Sequence, residues 1–137
     1  MQLNTYLNFD GNCEAAFSYY AKYLGGKIIA LLKFGDSPMA KRTPAEAHDK
    51  VMHARYEVDG CALMGTDRTA DYPWEPIKCA YVVINLNDAA KAERIFNALA
   101  DGGKVDMPLQ ETFWAHRYGI TVDRFGVPWM VNCEKAA

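Results

Sequence analysis

The sequence predicts an α+β fold: one domain built from two β-α-β-β-β modules, residues 1–75 and 76–137. Three observations predict it. Two segments carry apolar residues at helical spacing, each closed by a Gly-Gly pair. Almost all the remaining chain alternates with period two. The letters themselves also repeat. Shifted by 77 positions, Leu7 falls on Ile84, Asn8 on Asn85 and Gly25-Gly26-Lys27 on Gly102-Gly103-Lys104, without a gap. Toward the module ends the shift becomes 66, so that Gly60 falls on Gly126 and Met64 on Met130. Internal duplication constrains a fold more than any propensity does. It implies two similar curved, mixed but antiparallel-rich sheets related by a pseudo-twofold, each covered on one face by its helix.

LNTYLNF reads as the first strand. In NCEAAFSYYAKYLGG the residues Cys13, Ala16, Phe17, Tyr20 and Leu24 form one helical stripe, with Asn12 as N-cap and Gly25-Gly26 as stop. KIIALLKF is a strand, and 35–50 is a long loop. VMHARYEV and CALMGT form a hairpin across Asp59-Gly60. The stretch 67–76 is a second loop, in which Asp67 and Arg68 read as a turn. CAYVVINL opens the second module, and its helix carries Ala89, Ala92, Ile95, Phe96 and Leu99, capped by Asn87 or Asp88. KVDMPL, RYGITVDR and PWMVNC complete it, the last two joined by a turn at Phe125-Gly126.

Alternation assigns faces. The helix-covered side takes Leu7, Phe9, Met52, Ala54, Tyr56, Val58, Leu63, Val82, Ile84, Leu86, Ile120, Val122, Trp129 and Val131. The other side takes Asn4, Tyr6, Asn8, His53, Arg55, Glu57, Met64, Thr66, Tyr81, Asn85, Arg117, Thr121, Met130 and Asn132. Tyr6, Met64, Tyr81 and Met130 are odd choices for a face open to bulk water. They suit the wall of a concave small-molecule pocket, where a few polar groups sit on apolar surface.

Composition narrows the function. Fifteen basic against 17 acidic residues, net charge −2, lack the basic surface that nucleic acid or an anionic membrane requires. No apolar run approaches a membrane span, and the N-terminus has no secretory pattern, so a cytoplasmic protein is expected. Cys13, Cys61, Cys79 and Cys133 have no metal-type spacing and read as reduced thiols. No glycine-rich phosphate loop follows a strand, which removes support for a Rossmann-type methyltransferase holding S-adenosylmethionine.

The segments YLNFDGNCEAAFSYY, DKVMHARYEV, CALMGTD and MPLQETFWAHRYGITVDRFGVPWMVNCE resemble the PhnB-like branch of the vicinal oxygen chelate superfamily, which also includes glyoxalase I, extradiol dioxygenases and bleomycin-resistance proteins. Members of that branch often carry a ubiquinone-pathway methyltransferase label. Metal-dependent relatives place His or Glu on the first strand of each module and Glu on the last. The matching positions here are Asn4 (or Thr5) and Tyr81, then Met64 and Met130. An amide, a phenol and two thioethers suit a divalent ion poorly, so no metal and no cofactor are expected.

His53, flanked by Arg55 and Glu57, reads either as a base or ligand contact or as part of a surface charge ladder. Trp114 can stack on a planar ligand and Arg117 can pair with an anionic group, or this segment packs a dimer. His48 and His116 read as loop histidines. The pocket candidates are Asn4, Tyr6, His53, Arg55, Met64, Tyr81, Trp114, Arg117 and Met130. The expected function is binding or sequestering a small organic molecule as a homodimer. The alternative is a lyase, isomerase or dioxygenase using a displaced metal or none. Exposed aromatics in loops (Tyr72, Trp74, Phe113, Trp114) support the dimer.

Overall fold

A computed structural model describes residues 1–135. Contacts divide the chain into two compact units, Met1–Glu75 and Pro76–Ala137. In the first, β1 (Thr5–Phe9), α1 (Cys13–Leu24) and β2 (Lys27–Lys33) are followed by three single-turn 3-10 helices at Phe34–Asp36, Ala40–Arg42 and Ala45–Ala47. β3 (Val51–Val58) and β4 (Cys61–Asp67) complete this unit. In the second, β5 (Val82–Leu86) and α2 (Ala89–Ala100) precede β6 (Lys104–Gln110), β7 (Ala115–Val122) and β8 (Pro128–Glu134). The sheet orders are β1-β4-β3-β2 and β5-β8-β7-β6. Among the described residues β1–β4 and β5–β8 pair in parallel, and the other pairs are antiparallel. This is the duplicated βαβββ arrangement that the repeat implies.

Each helix packs on one face of its own sheet. Cys13, Ala16, Phe17 and Tyr20 of α1 are fully buried against Leu7, Phe9, Ala54 and Tyr56. Phe17 meets Phe9 edge-on at 5.7 Å, a geometry that adds to what burial of each ring contributes, about 1.5–3 kcal/mol. In the second unit Ala92, Ile95, Phe96 and Leu99 cover Trp129 and Val131. The repeated Gly-Gly-Lys has a steric cause: a Cβ on Gly26 would strike the carbonyl oxygen of Glu57, and one on Gly103 that of Val122.

The helix starts differ from expectation. Asp88 caps α2, accepting from the Lys91 N–H at 3.1 Å. Asn12 makes no side-chain cap on α1, and its Oδ1 is buried without a partner among the described residues. Asp67 supplies the cap from across the fold. This buried residue closes β4 rather than forming a turn. Its Oδ1 accepts from the Cys13 N–H at 2.9 Å and its Oδ2 from the Val51 N–H at 2.8 Å.

Two face assignments are corrected. In β7 the inner positions are Gly119 and Thr121, paired with Val131 and Trp129, so Ile120 and Val122 turn to the open side. A register shift between Ala115 and Arg117 resets the count, and the Phe96 ring occupies the space over Gly119. Thr121 tolerates full burial because its hydroxyl donates to the Lys104 carbonyl at 3.0 Å. In β3 an irregularity in the β2 pairing leaves Val51, not Met52, in the core.

Candidate functional site

The open face of the first sheet gathers four of the expected residues. Tyr6 lies beside Met64 and Met64 beside Arg55 in the strand register, with His53 on the same side of β3. The Tyr6 hydroxyl and His53 Nδ1 are hydrogen bonded at 3.1 Å, and their rings stack with centroids 5.8 Å apart. Burial, and secondarily the neighbouring Cys13, push the Tyr6 phenol up, against the opposing hydrogen bond of Thr66. Tyr6 therefore keeps its proton, and its hydroxyl can either donate to His53 Nδ1 or accept from it, according to the imidazole tautomer. Arg55 Nε donates to Glu57 at 2.7 Å and Nη1 lies 3.8 Å from Met64 Sδ. The face thus offers a phenol–imidazole pair, a guanidinium held by a carboxylate, and a thioether. Asn4 is exposed, just before β1 and outside the strand pairing.

The open face of the second sheet is more aromatic and apolar. Met130 lies beside Val83 and accepts from the Tyr118 hydroxyl at 3.5 Å. Trp114 packs edge-on to Tyr118 at 5.2 Å and to Phe113 at 4.8 Å. Tyr81 precedes β5 and is exposed, and Asn132 donates to Asn85 at 3.1 Å. Arg117 does not join this face. It pairs with Cys133 in register, and its Nε donates to Glu93 of α2 at 3.2 Å. The same register shift that buries Thr121 moves Arg117 to the helix side.

The expected metal positions do not fit a divalent ion. The register puts Tyr6, not Asn4, beside Met64, and Val83, not Tyr81, beside Met130. A guanidinium already lies against the Met64 sulfur, and a cation there repels a second one. Thioethers and a phenol that keeps its proton are weak ligands for hard ions. Among the described residues no three His, Cys, Asp or Glu side chains gather as a metal site.

One concave feature was not legible in the sequence. A cavity of about 420 Å³ opens in the first unit between the 3-10 segment and the 66–72 loop. Asn8, Met52 and Thr66 line it, so it adjoins the strands that carry Tyr6, His53 and Met64. His48 Nε2 lies 3.0 Å from the Ala40 carbonyl and 2.9 Å from that of Thr43, tying one wall together. Trp74 Nε1 donates to the Asn8 carbonyl at 3.0 Å, anchoring the chain beyond the other. Most of the cavity residues come from segments without periodicity, so only contacts formed on folding bring them together.

No helix among the described residues is long and apolar enough to cross a membrane. The family described as 3-demethylubiquinone-9 3-methyltransferase matches residues 1–132. Protein YjdN of Escherichia coli (strain K12) is 34% identical over 98% of this chain and 97% of its own length. Protein PA1353 from Pseudomonas aeruginosa is 52% identical, with a TM-score of 0.91 over 99% of both chains. The PhnB protein from Bacillus cereus, at 20% identity, shares the fold with a TM-score of 0.78 over 97% of this chain and 99% of its own. TnmS3, an antibiotic binding protein from Streptomyces sp. CB03234, shares it at 16% identity, with a TM-score of 0.57 over 98% of each chain. The family's description names a methyltransferase, yet each sheet here has a single parallel pair rather than the doubly wound parallel sheet that holds dinucleotides and related cofactors at its switch point. The chain belongs to this family, and its repeated modules have the PhnB-like, vicinal oxygen chelate fold.

Proposed function

We propose that this protein binds a small organic molecule on the open face of its first sheet, without a divalent metal. The observation that carries this reading is Arg55 lying against Met64, at one of the positions where metal-dependent relatives keep a carboxylate. It replaces a metal-directed site with a hydrogen-bonding one. Tyr6, His53 and Arg55 are polar groups with fixed partners, and Met64 adds an adaptable apolar surface. The adjoining cavity gives room for a compact ligand. TnmS3, described as an antibiotic binding protein, has the same fold, which supports a binding reading.

The Tyr6–His53 pair also supports a second reading, a metal-independent isomerase or lyase in which His53 takes a proton from a carbon acid. The test is a metabolite library screened by thermal shift on chelator-treated protein, with Tyr6→Phe, Arg55→Met and the helix-side Arg117→Ala in parallel. Hits lost in the first two variants and kept in Arg117→Ala support the open-face site. Stabilisation that appears only when manganese or zinc is restored would contradict it. Turnover of a hit, abolished by His53→Gln, would favour the enzyme.

A further inference from the structure

We infer that the cavity of the first unit holds the acid group of an organic anion, a carboxylate or phosphate ester, on Lys50 and Arg68. This deepens the binding reading above and rests on it. Both cations line the cavity and are half-buried. Neither forms an ion pair among the described residues. The cavity's acids do not pair with them. Asp67 is buried, but its two oxygens are engaged by the Cys13 and Val51 backbone N–H groups. Glu46 and Asp71 occupy exposed positions, where water screens them.

The cavity is therefore left with two half-buried cationic donors that have no carboxylate partner among the described residues. A cation drawn partly out of water gains most from a partner that is itself anionic and accepts its hydrogen bonds. Arg68 is also positioned in advance: its guanidinium stands over the Tyr72 ring, 5.7 Å from the centroid. Its backbone N–H donates to the Phe9 carbonyl at 2.8 Å, which ties the loop to β1. Phe34, Met39 and Met52 supply the apolar remainder, so the ligand is an organic anion rather than a bare inorganic one. The volume, about 420 Å³, suits a ligand of one ring with its acid group.

The experiment titrates full-length protein with phenyl phosphate, benzoate and, as neutral control, benzyl alcohol. Calorimetry and backbone amide shifts are both followed. The anions should bind and move the amides of residues 42–50 and 66–72. Lys50→Met and Arg68→Gln should each weaken them about tenfold or more, the loss expected for one charge-assisted hydrogen bond. Lys50→Arg should retain binding, and the melting midpoints of all three variants identify any that fail to fold. Absence of saturable anion binding, shifts confined to residues outside the cavity, or affinities unchanged in both charge-removing variants would each overturn the inference. Benzyl alcohol binding in the cavity as well as the anions would overturn the anion class while leaving the binding reading intact. Loss of library hits in the Tyr6 and Arg55 variants tests that reading separately.

Discussion

Removing the Asp67 carboxylate should be among the most damaging single changes in the first unit. Its oxygens accept from the N–H groups of Cys13, at the first turn of α1, and Val51, at the start of β3. Cys13 and Val51 are 0% and 1% exposed, so water cannot replace the lost acceptor. Hydrogen bonds to a charged group contribute about 1.5–3 kcal/mol each, and their shared acceptor makes the total less than additive, roughly 3–5 kcal/mol for Asp67→Ala. Asp88→Ala is the internal comparison. That residue caps α2 through one exposed, local bond to Lys91, and its loss should cost about 0.5–2 kcal/mol. Equilibrium urea unfolding of both variants measures the difference as a shift in midpoint at unchanged slope. Equal midpoints for the two would refute the claim that Asp67 joins α1 to β3 as a buried cap.

Gly65→Ala should cost about 1–3 kcal/mol by thermal melting, because the new methyl would lie 2.9 Å from Phe17 Cζ and 3.1 Å from both Cys13 Sγ and Phe9 Cε2; a variant as stable as the parent would show that the α1–β4 contact is loosely packed. The buried Tyr56 hydroxyl donates to the Gly25 and Tyr20 carbonyls, and burial foremost, with Asp59 second, pushes it up to about 12 from its usual 10.0. Stability should thus be intact below the usual tyrosine range and fall as pH rises from there toward 12, with Tyr56→Phe flattening the decline; a wild-type profile matching the variant's would contradict this. Phe113 is 89% exposed, and sedimentation velocity at micromolar concentration should give a dimer mass; a monomer would contradict the expectation drawn from that ring.

The elements of the fold were legible because each is written in a local period. The Cys13-Ala16-Phe17-Tyr20 stripe, the alternation of β1 and β4, and the repeated Gly-Gly-Lys all encode geometry within a few residues. On the first sheet this also placed Tyr6, His53, Arg55 and Met64 on one face. Alternation failed where a strand loses its count: the β7 irregularity reversed Thr121 and Arg117, and that in β3 exchanged Val51 for Met52. Asp67 read as a turn because its partners, Cys13 and Val51, lie 54 and 16 residues away in sequence. The cavity was hidden for the same reason, since Lys50 and Arg68 line one cavity only after the loops fold back onto β1 and β4.

The central claim is that the open face of the first sheet binds a ligand through Tyr6 and Arg55 with no metal between them. Calorimetric titration of chelator-treated protein with the strongest library hit tests it most directly. Wild-type protein should bind with an affinity that added manganese or zinc leaves unchanged. Arg55→Met should weaken that binding about tenfold or more, for loss of a hydrogen bond from a charged donor, while Arg117→Ala should bind as wild type does. Binding that requires the metal, or that survives Arg55→Met and fails in Arg117→Ala, would contradict the account.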